Sequence, residues 1–278
     1  EGDITVVEVC ETILTDRYDY KNIDGLYYLG GGNNGEREVK NTLWRQFIPD
    51  IDSVPIPDYS DIDFSLYQQP EIPIVLSRGC NYSCIYCGVK LYWKKASDFR
   101  KRSPESLMEE VKYLDDSGYI EHGEFNFLSF KGAYVNTDVV KKSELESGKS
   151  ILEEFCDQIV DYYKDASHGV PFQWGGWARV DKNLTPEVCK KMFDAGCHHL
   201  TFGFESGSPR INKEMKKGYK FREYANEYAA NVFKNCMDAG IQTVLFLIVG
   251  YPTETKEDFQ ETMKFLNKSN CAKSSLSC

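Results

Sequence analysis

The amino-acid sequence predicts an α/β protein whose main part is a parallel sheet, covered by helices and curved into a complete or partial barrel. From Ile72 onward, apolar strand-like segments alternate with amphipathic helical segments, and this alternation is typical of such sheets. A near repeat supports it, because residues 192–196 and 236–240 each end a helix with glycine directly before a strand. Five strand–helix units are predicted, with strands near 72–76, 125–130, 172–178, 199–204 and 243–249. Repeats of this kind place an active site at the carboxyl ends of the strands.

Capping signals predict where several helices begin. Ser103-Pro104-Glu105 and Thr185-Pro186-Glu187 each supply a cap, a first-turn proline and a first-turn acid. The segment from Thr255 to Asp258 supplies a further cap. A long helix is also predicted around Ile151–Tyr163. Local signals therefore position the outer helices, in addition to the apolar periodicity.

Residues 1–71 differ in pattern and are predicted to form a small α/β region followed by a linker. A helix over Thr5–Thr12 precedes a short strand at Ile23–Leu29, and a second strand follows the glycine-rich stretch Gly30–Gly35. We interpret that stretch as a hairpin turn, because it lacks the Lys-Ser/Thr pair and the helix start of a phosphate-binding loop. The Pro- and Asp-rich segment Pro49–Asp63 is predicted to be an extended connector. We therefore place a domain boundary between residues 71 and 72.

The segment after Asn267 is polar and Ser-rich. It carries no strand pattern, so the domain 72–278 is expected to lack its last strand. The predicted strand near 243–249 would then have an unpaired apolar edge, which is a hazard for association. The sequence is accordingly expected to be part of a longer protein.

Composition excludes several classes of protein. With 41% hydrophobic and 27% charged residues among 278, the chain can bury a sizeable core and is not intrinsically disordered. A formal net charge of −10 argues against a dominant nucleic-acid surface, so no nucleic-acid partner is predicted. The longest apolar run, Val244–Val249, is too short to span a membrane. Seven of the ten cysteines are scattered, which favours a reducing compartment and hence the cytoplasm.

Three cysteines stand together directly after the first predicted strand of the barrel. Cys80, Cys84 and Cys87 lie within eight residues, and Tyr86 precedes the last of them. A loop of this spacing can present three thiolates to an iron–sulfur cluster, and three thiolates leave one iron of a four-iron cluster open to another ligand. A structural zinc site would use four ligands, usually in paired Cys-x-x-Cys units. A zinc knuckle and a set of unconnected thiols remain the alternatives.

The Cys-x-x-x-Cys-x-x-Cys loop with Tyr86 before its third cysteine resembles the signature of the radical S-adenosylmethionine (SAM) superfamily. The resemblance extends over about residues 72–267. It implies a partial (β/α)6 TIM-like barrel and a 4Fe–4S cluster whose open iron is chelated by the methionine part of SAM. It also implies that an electron from the cluster splits SAM to a 5′-deoxyadenosyl radical, which abstracts hydrogen from substrate.

Further motifs resemble the strands that line the SAM site of this superfamily. The segments 177–181, 202–208 and 246–255 resemble its third, fourth and fifth strands. The SAM-binding residues that the resemblance implies are Tyr86, Ser129, Arg179, Glu205, Ser206 and Val249. Gly203 and Gly207 flank Glu205 and are expected to leave room for a ligand, whereas Arg179 either pairs with the SAM carboxylate or forms an ion pair with Asp181. The second strand departs from the family pattern, because it lacks an acid for the SAM amino group, and Ser129 is the substitute acceptor.

The N-terminal region resembles the stretch between two domains in cobalamin-dependent radical SAM enzymes. Residues 1–71 would then be the remnant of a cobalamin-binding-like domain and its Pro-rich linker, and cobalamin is a possible cofactor. This implies methyl transfer or ring formation on a small-molecule substrate, with flavodoxin or ferredoxin as the reducing partner. Methylthiotransferases, which modify RNA or protein, are the nearest alternative. A non-catalytic iron–sulfur or zinc module is the rival outside enzymes, although a purely structural site gains nothing from an open position.

Overall fold

The computed structural model describes residues 2–15, 19–31, 36–67, 71–80, 82–88, 99–120, 126–135, 145, 147–217, 225–269 and 276–277. At residues 71, 126–135, 225 and 276–277 the description is confined to the backbone. The chain divides into two compact units, Glu1–Pro55 and Ile56–Cys278. The predicted boundary at residue 71 therefore falls inside the second unit, and the connector Pro49–Asp63 is shared between the two.

Among its described residues, the first unit contains one α-helix and one antiparallel pair of strands. Helix α1 spans Asp3–Leu14, strand β1 spans Tyr27–Gly31, and strand β2 spans Arg37–Asn41. The first strand begins later than predicted, because a 3₁₀ turn precedes it and Gly25 adopts a positive φ of 83° that redirects the chain. Part of the predicted glycine turn belongs to β1, and residues 32–35 lie outside the described residues.

The second unit is built on a parallel sheet of six strands in the order β10-β9-β8-β7-β6-β3. Its strands are β3 Glu71–Pro73, β6 Asn126–Val135, β7 Phe172–Ala178, β8 Cys197–Glu205, β9 Gln242–Leu247 and β10 Leu276–Ser277. Every neighbouring pair is parallel. The predicted α/β class, a partial TIM-like barrel of parallel strands, is confirmed.

Two predictions about the ends of this sheet need correction. The first strand stops at Pro73, because proline lacks the N–H that would continue the ladder. A short antiparallel pair follows instead, formed by β4 (Ser77–Arg78) and β5 (Arg100–Lys101). At the other end, Leu276 and Ser277 pair with Leu245 and Phe246. The prediction that the tail supplies no strand is wrong for these two residues, since backbone groups pair along an edge whatever side chains they carry.

The helices described in the second unit are α2 Pro104–Asp116, α3 Ile151–Tyr162, α4 Pro186–Asp194, α5 Pro209–Glu214, α6 Ala225–Asp238 and α7 Lys256–Lys268. Of these, α2, α4 and α7 begin where the capping signals predict. The side chains of Ser103 and Thr185 accept hydrogen bonds from the first turns of α2 and α4. Thr255 and Asp258 form a reciprocal capping box, as do Ser150 and Glu153. Each cap satisfies backbone donors that a helix start leaves open.

The core lies between the sheet and these helices. Its largest fully buried side chains include Trp174, Phe155, Phe202 and Phe233. The indole of Trp174 donates a hydrogen bond of 2.9 Å to the Ala195 carbonyl, so this tryptophan is a core residue. The helices thus cover the sheet from outside and leave the carboxyl ends of β7, β8 and β9 to form a site.

Candidate active site

A cavity of about 150 Å³ lies at the carboxyl ends of β7 and β8, next to the cysteine loop. It combines thiol, aromatic and charged side chains from five separate segments of the chain. Its lining consists of Cys80, Tyr82, Cys84, Tyr86, Cys87, Trp177, Ala178, Arg179, Thr201, Gly203, Glu205, Lys217 and Phe246. The parallel fold explains the position, because the carboxyl ends of neighbouring parallel strands meet at one edge of the sheet.

The three predicted cluster cysteines all line this cavity. Cys84 is buried, and Cys80 and Cys87 are half-buried. The loop is tied to the end of α5, since the Ile85 N–H donates to the Met215 carbonyl at 3.0 Å. Burial raises the pKa of the Cys80 thiol, while the backbone N–H of Tyr82 and the positive charge of Arg179 act in the opposite direction. Metal binding requires the thiolate form, so it would have to overcome the effect of burial on this thiol.

The arrangement of donors distinguishes two kinds of metal site. Across the described residues, no three His, Cys, Asp or Glu side chains are arranged to hold a single metal ion. A zinc ion needs its ligands to converge on one point. In a four-iron cluster each thiolate binds a different iron, so the three sulfurs need only face a common cavity. Cys80, Cys84 and Cys87 line a common cavity, so this donor set fits a four-iron cluster.

A buried polar group of three side chains forms one wall of the cavity. Glu205 Oε1 accepts hydrogen bonds from Tyr86 Oη at 2.9 Å and from Lys217 Nζ at 2.5 Å. Lys217 Nζ also donates to Tyr86 Oη at 2.8 Å. Burial lowers the pKa of Lys217, and the charge of Glu205 partly offsets this. Burial and the same carboxylate raise the pKa of Tyr86, so this phenol keeps its proton.

The backbone at Glu205, which carries this carboxylate, has an unusual conformation. Glu205 ends β8 with a positive φ of 68°, which is uncommon for a residue other than glycine and is concentrated at functional sites. Its carbonyl accepts from the Ile248 N–H at 2.9 Å, which ties it to the chain after β9. A Cβ at Gly203 would lie 2.8 Å from Glu205 Oε1 and 3.0 Å from Lys217 Nζ. Gly203 thus leaves room for the ion pair.

Arg179 directly follows β7 and is 5% exposed. Its Nη1 lies 3.7 Å from Cys84 Sγ, and its Nη2 donates to the Lys217 carbonyl. The guanidinium carbon lies 3.6 Å from the centre of the Tyr82 ring. The sequence prediction left two roles open, the SAM carboxylate or Asp181, and the structure brings this side chain to the cysteine loop.

Other predicted SAM contacts lie outside the cavity lining. Ser206 is fully buried, where its Oγ accepts from the Ser208 N–H at 3.0 Å and lies 3.3 Å from the Thr262 hydroxyl. Val249 is exposed, beyond the end of β9. Ser129 lies on β6, where only the backbone is described, so its side-chain role stays a prediction. Gly207 packs against α7, where a Cβ would lie 2.6 Å from Thr262 Cα. The expectation that Gly207 leaves room for a ligand is therefore wrong.

Sequence reasoning missed Lys217 and gave no site role to Phe246. Lys217 follows Lys216, and such pairs usually face solvent, so the sequence offered little sign of its burial. The only signal was its place in the segment directly after the Glu205 motif. Phe246 and Trp177 line the cavity mouth with their rings 6.4 Å apart in an edge-to-face arrangement. They are partly exposed, so the mouth presents an aromatic surface.

Comparison with known proteins identifies the family. The profile of the radical SAM superfamily matches residues 178–266, which carry the β8 and β9 motifs and three of the charged cavity residues. The match places this chain among proteins with a radical SAM domain. The superfamily is one of enzymes, and the match agrees with the signature in the cysteine loop.

Related sequences extend the similarity beyond residues 178–266. An uncharacterized methyltransferase of Pyrococcus horikoshii is 27% identical over 96% of this chain. The anaerobic magnesium-protoporphyrin IX monomethyl ester cyclase of Cereibacter sphaeroides is 25% identical over 95% of it. A tRNA-2-methylthio-N(6)-dimethylallyladenosine synthase of Acetivibrio thermocellus is 30% identical over 70%. The chain spans only 51%, 39% and 36% of these three relatives, respectively.

Solved structures share the fold of this radical SAM chain. The radical SAM methyltransferase TsrM of Kitasatospora setae, solved with tryptophan substrate and a SAM analogue, superposes with a TM-score of 0.69. It is 17% identical, and the match covers 99% of this chain and 49% of TsrM. The cobalamin-dependent radical SAM enzyme OxsB gives a TM-score of 0.69 at 18% identity, over 96% of this chain and 35% of OxsB. Among the described helices, none is long and apolar enough to cross a membrane.

Proposed function

We propose that this chain is the catalytic core of a radical SAM enzyme, which holds a 4Fe–4S cluster through Cys80, Cys84 and Cys87 and binds SAM beside it. One observation carries the proposal: the three thiols line the same cavity as a buried, charged wall containing Glu205 and Lys217. When bound, the cluster supplies the electron that cleaves SAM to the radical that abstracts hydrogen. The protein residues bind, orient and exclude water.

The charges around the cavity fit this role. Three thiolates bring three negative charges into a partly buried site, and buried charge is tolerated only when it is compensated. Lys217 and Arg179 supply two positive charges at the cavity, and both are at least nine-tenths buried. Both recorded hydrogen bonds of the Glu205 side chain use Oε1, so within the described residues Oε2 is available as an acceptor for a ligand amino group. We propose Tyr86, Glu205, Lys217 and Arg179 as the polar surroundings of SAM and the cluster.

For the whole protein we propose cobalamin-dependent methyl transfer or ring formation on a small molecule. Two relatives matched over 95% or more of this chain are named as a methyltransferase and a cyclase, and OxsB is named as cobalamin-dependent. The methylthio-adenosine synthase is matched over 70% of the chain, which gives the methylthiotransferase alternative less support. A flavodoxin or ferredoxin as electron donor, and a cytoplasmic location, belong to the same proposal.

Anaerobic reconstitution with iron and sulfide tests the core of this proposal. We expect about four irons per chain and a paramagnetic resonance signal after reduction. Adding SAM should change that signal, and Glu205→Ala should weaken the change because it removes an acceptor from the cavity wall. Stable binding of zinc in place of iron would contradict the proposal. A reduced cluster that is insensitive to saturating SAM would favour a non-catalytic iron–sulfur module.

A further inference from the structure

We infer that Arg179 is a positioning residue for the cluster. It holds the cysteine loop in its conformation, and its contact with Cys84 Sγ raises the reduction potential of the cluster. This inference rests on the proposed function, since it requires a cluster on the three cysteines. It differs from the role that the family resemblance implied, because it assigns the guanidinium to the protein's own sulfur and not to the SAM carboxylate.

The Arg179 guanidinium contacts Cys84, Lys217 and Tyr82. Nη1 lies at hydrogen-bonding distance from Cys84 Sγ, 3.7 Å away. Nη2 donates to the carbonyl of Lys217, and the plane of the group lies over the Tyr82 ring at 3.6 Å. These partners come from the cysteine loop and from the segment after α5. Arg179 therefore connects the loop to the segment that carries the buried ion pair.

The environment makes the charge effective. Arg179 is 5% exposed, so water screens its charge only weakly. A thiolate in contact with a buried guanidinium offsets part of the cost of burying that charge. Reduction of a cluster adds a negative charge, which a fixed positive charge favours. Hydrogen bonds to the sulfurs and the charge around a cluster are among the factors that set its potential.

Arginine suits this position better than lysine. The planar fork can donate to Cys84 Sγ and to the Lys217 carbonyl at once, while its face stacks on the Tyr82 ring. A lysine ammonium is a point charge and has no planar face to stack on the Tyr82 ring. It would also make a poorer contact with one of the two acceptors, Cys84 Sγ or the Lys217 carbonyl. The inference therefore predicts graded effects, with Arg179→Gln larger than Arg179→Lys.

The test is a potentiometric titration of the reconstituted chain without SAM, followed by paramagnetic resonance. We expect Arg179→Gln to reduce the equilibrium constant for cluster reduction about tenfold, which is about 59 mV towards negative potential for one electron. Arg179→Lys should shift it less. Tyr82→Leu, which removes the stacking ring, should shift it in the same direction, and Tyr82→Phe should leave it unchanged. The matched control is Arg102→Lys, since Arg102 is also buried but pairs with Glu110 away from the cavity.

The outcomes separate this inference from the proposed function. A wild-type chain that binds no cluster would contradict the proposed function. A wild-type chain that binds a cluster whose potential is the same in Arg179→Gln would overturn the inference. Equal potentials together with weaker SAM binding would assign Arg179 to the SAM carboxylate. If Arg179→Gln assembles no cluster, the reduction potentials of Arg179→Lys and Tyr82→Leu provide the test. Wild-type potentials in both of these variants would overturn the inference.

Discussion

Two groups of cysteines in the second unit have the same side chain and opposite surroundings. The loop cysteines Cys80, Cys84 and Cys87 line a cavity shared with charged residues. The second group is fully buried in the core behind the sheet and consists of Cys156, Cys189, Cys197 and Cys236. Burial raises the pKa of Cys156 and Cys197, and the hydrogen bond with Cys189, followed by burial, raises that of Cys236.

The comparison shows that environment decides what a thiol does. A thiol becomes a metal ligand or nucleophile as the thiolate, which needs positive charge or a metal nearby and an access route. Cys156, Cys197 and Cys236 have a raised pKa, and all four core cysteines are fully buried, although the sulfurs of Cys189 and Cys236 lie 3.7 Å apart. These four cysteines behave as small apolar residues. The loop group has Arg179 beside it and opens to a cavity.

The largest expected effect separates the two groups by mutation. Cys84→Ala should abolish the cluster absorption of the reconstituted chain, because the site then offers two thiolates. Cys156→Ala should leave the iron content unchanged, because this thiol belongs to the core. Iron analysis and visible absorption measure both. Equal losses of iron and visible absorption in the two variants would contradict the assignment of the cluster to the loop cysteines.

Chemical labelling sharpens the same comparison without a mutation. Iodoacetamide should modify the half-buried Cys80 and Cys87 and the exposed Cys10 of the metal-free native chain and leave the four core cysteines unmodified. Peptide mass mapping after a short reaction measures this. Reconstitution should protect Cys80 and Cys87 and leave Cys10 reactive. Labelling of Cys197 at the rate of Cys10 in the native chain would show that the core is not closed.

Charged pairs show the same contrast between buried and exposed surroundings. Glu205→Gln leaves the Lys217 ammonium buried without its counter-charge, so we expect the free energy of unfolding to fall by about 3–5 kcal/mol. Asp194→Asn breaks the pair with Lys190, whose side chains are 42% and 63% exposed, and should cost less than about 0.5 kcal/mol. Urea unfolding of the two variants measures the difference.

The control is the double variant Glu205→Gln with Lys217→Met. It removes both charges, so it should recover part of the stability that the single variant loses. A double variant that is less stable than Glu205→Gln would mean that Lys217 is stabilised by partners other than Glu205.

A smaller effect than that of Glu205→Gln is expected for a charge that serves a helix start. Hydrogen bonds from Arg210, Ser208 and Thr255 hold the pKa of Asp258 well below its usual range, against burial. A group with a lowered pKa stabilises the fold above its unfolded value, about 3.9, and loses this contribution as the pH falls further. Asp258→Asn should therefore cost about 1–2 kcal/mol at pH 7. The difference from wild type should shrink below about pH 4 in unfolding measurements, and a difference independent of pH would contradict the ionic origin.

The sequence by itself determined the architecture. Apolar periodicity predicted the parallel strands β6 to β9, and the caps at Ser103, Thr185 and Thr255 predicted helix starts that the structure confirms. These signals are readable because helix capping and strand burial depend on neighbours within a few residues. The spacing of Cys80, Cys84 and Cys87 likewise indicated the family from local order alone.

Only the tertiary structure decided how the site is assembled. Tyr86 and Glu205 are 119 residues apart, and Arg179 and Cys84 are 95 residues apart, so no local pattern reports these contacts. Lys217 looked like one of a pair of surface lysines until the fold buried it against Glu205. Ser206 looked like a ligand contact until its hydroxyl proved to serve the turn before α5. The physical reason is that burial and counter-charge are set by which strand ends meet, and parallel strands bring together residues that are far apart in sequence.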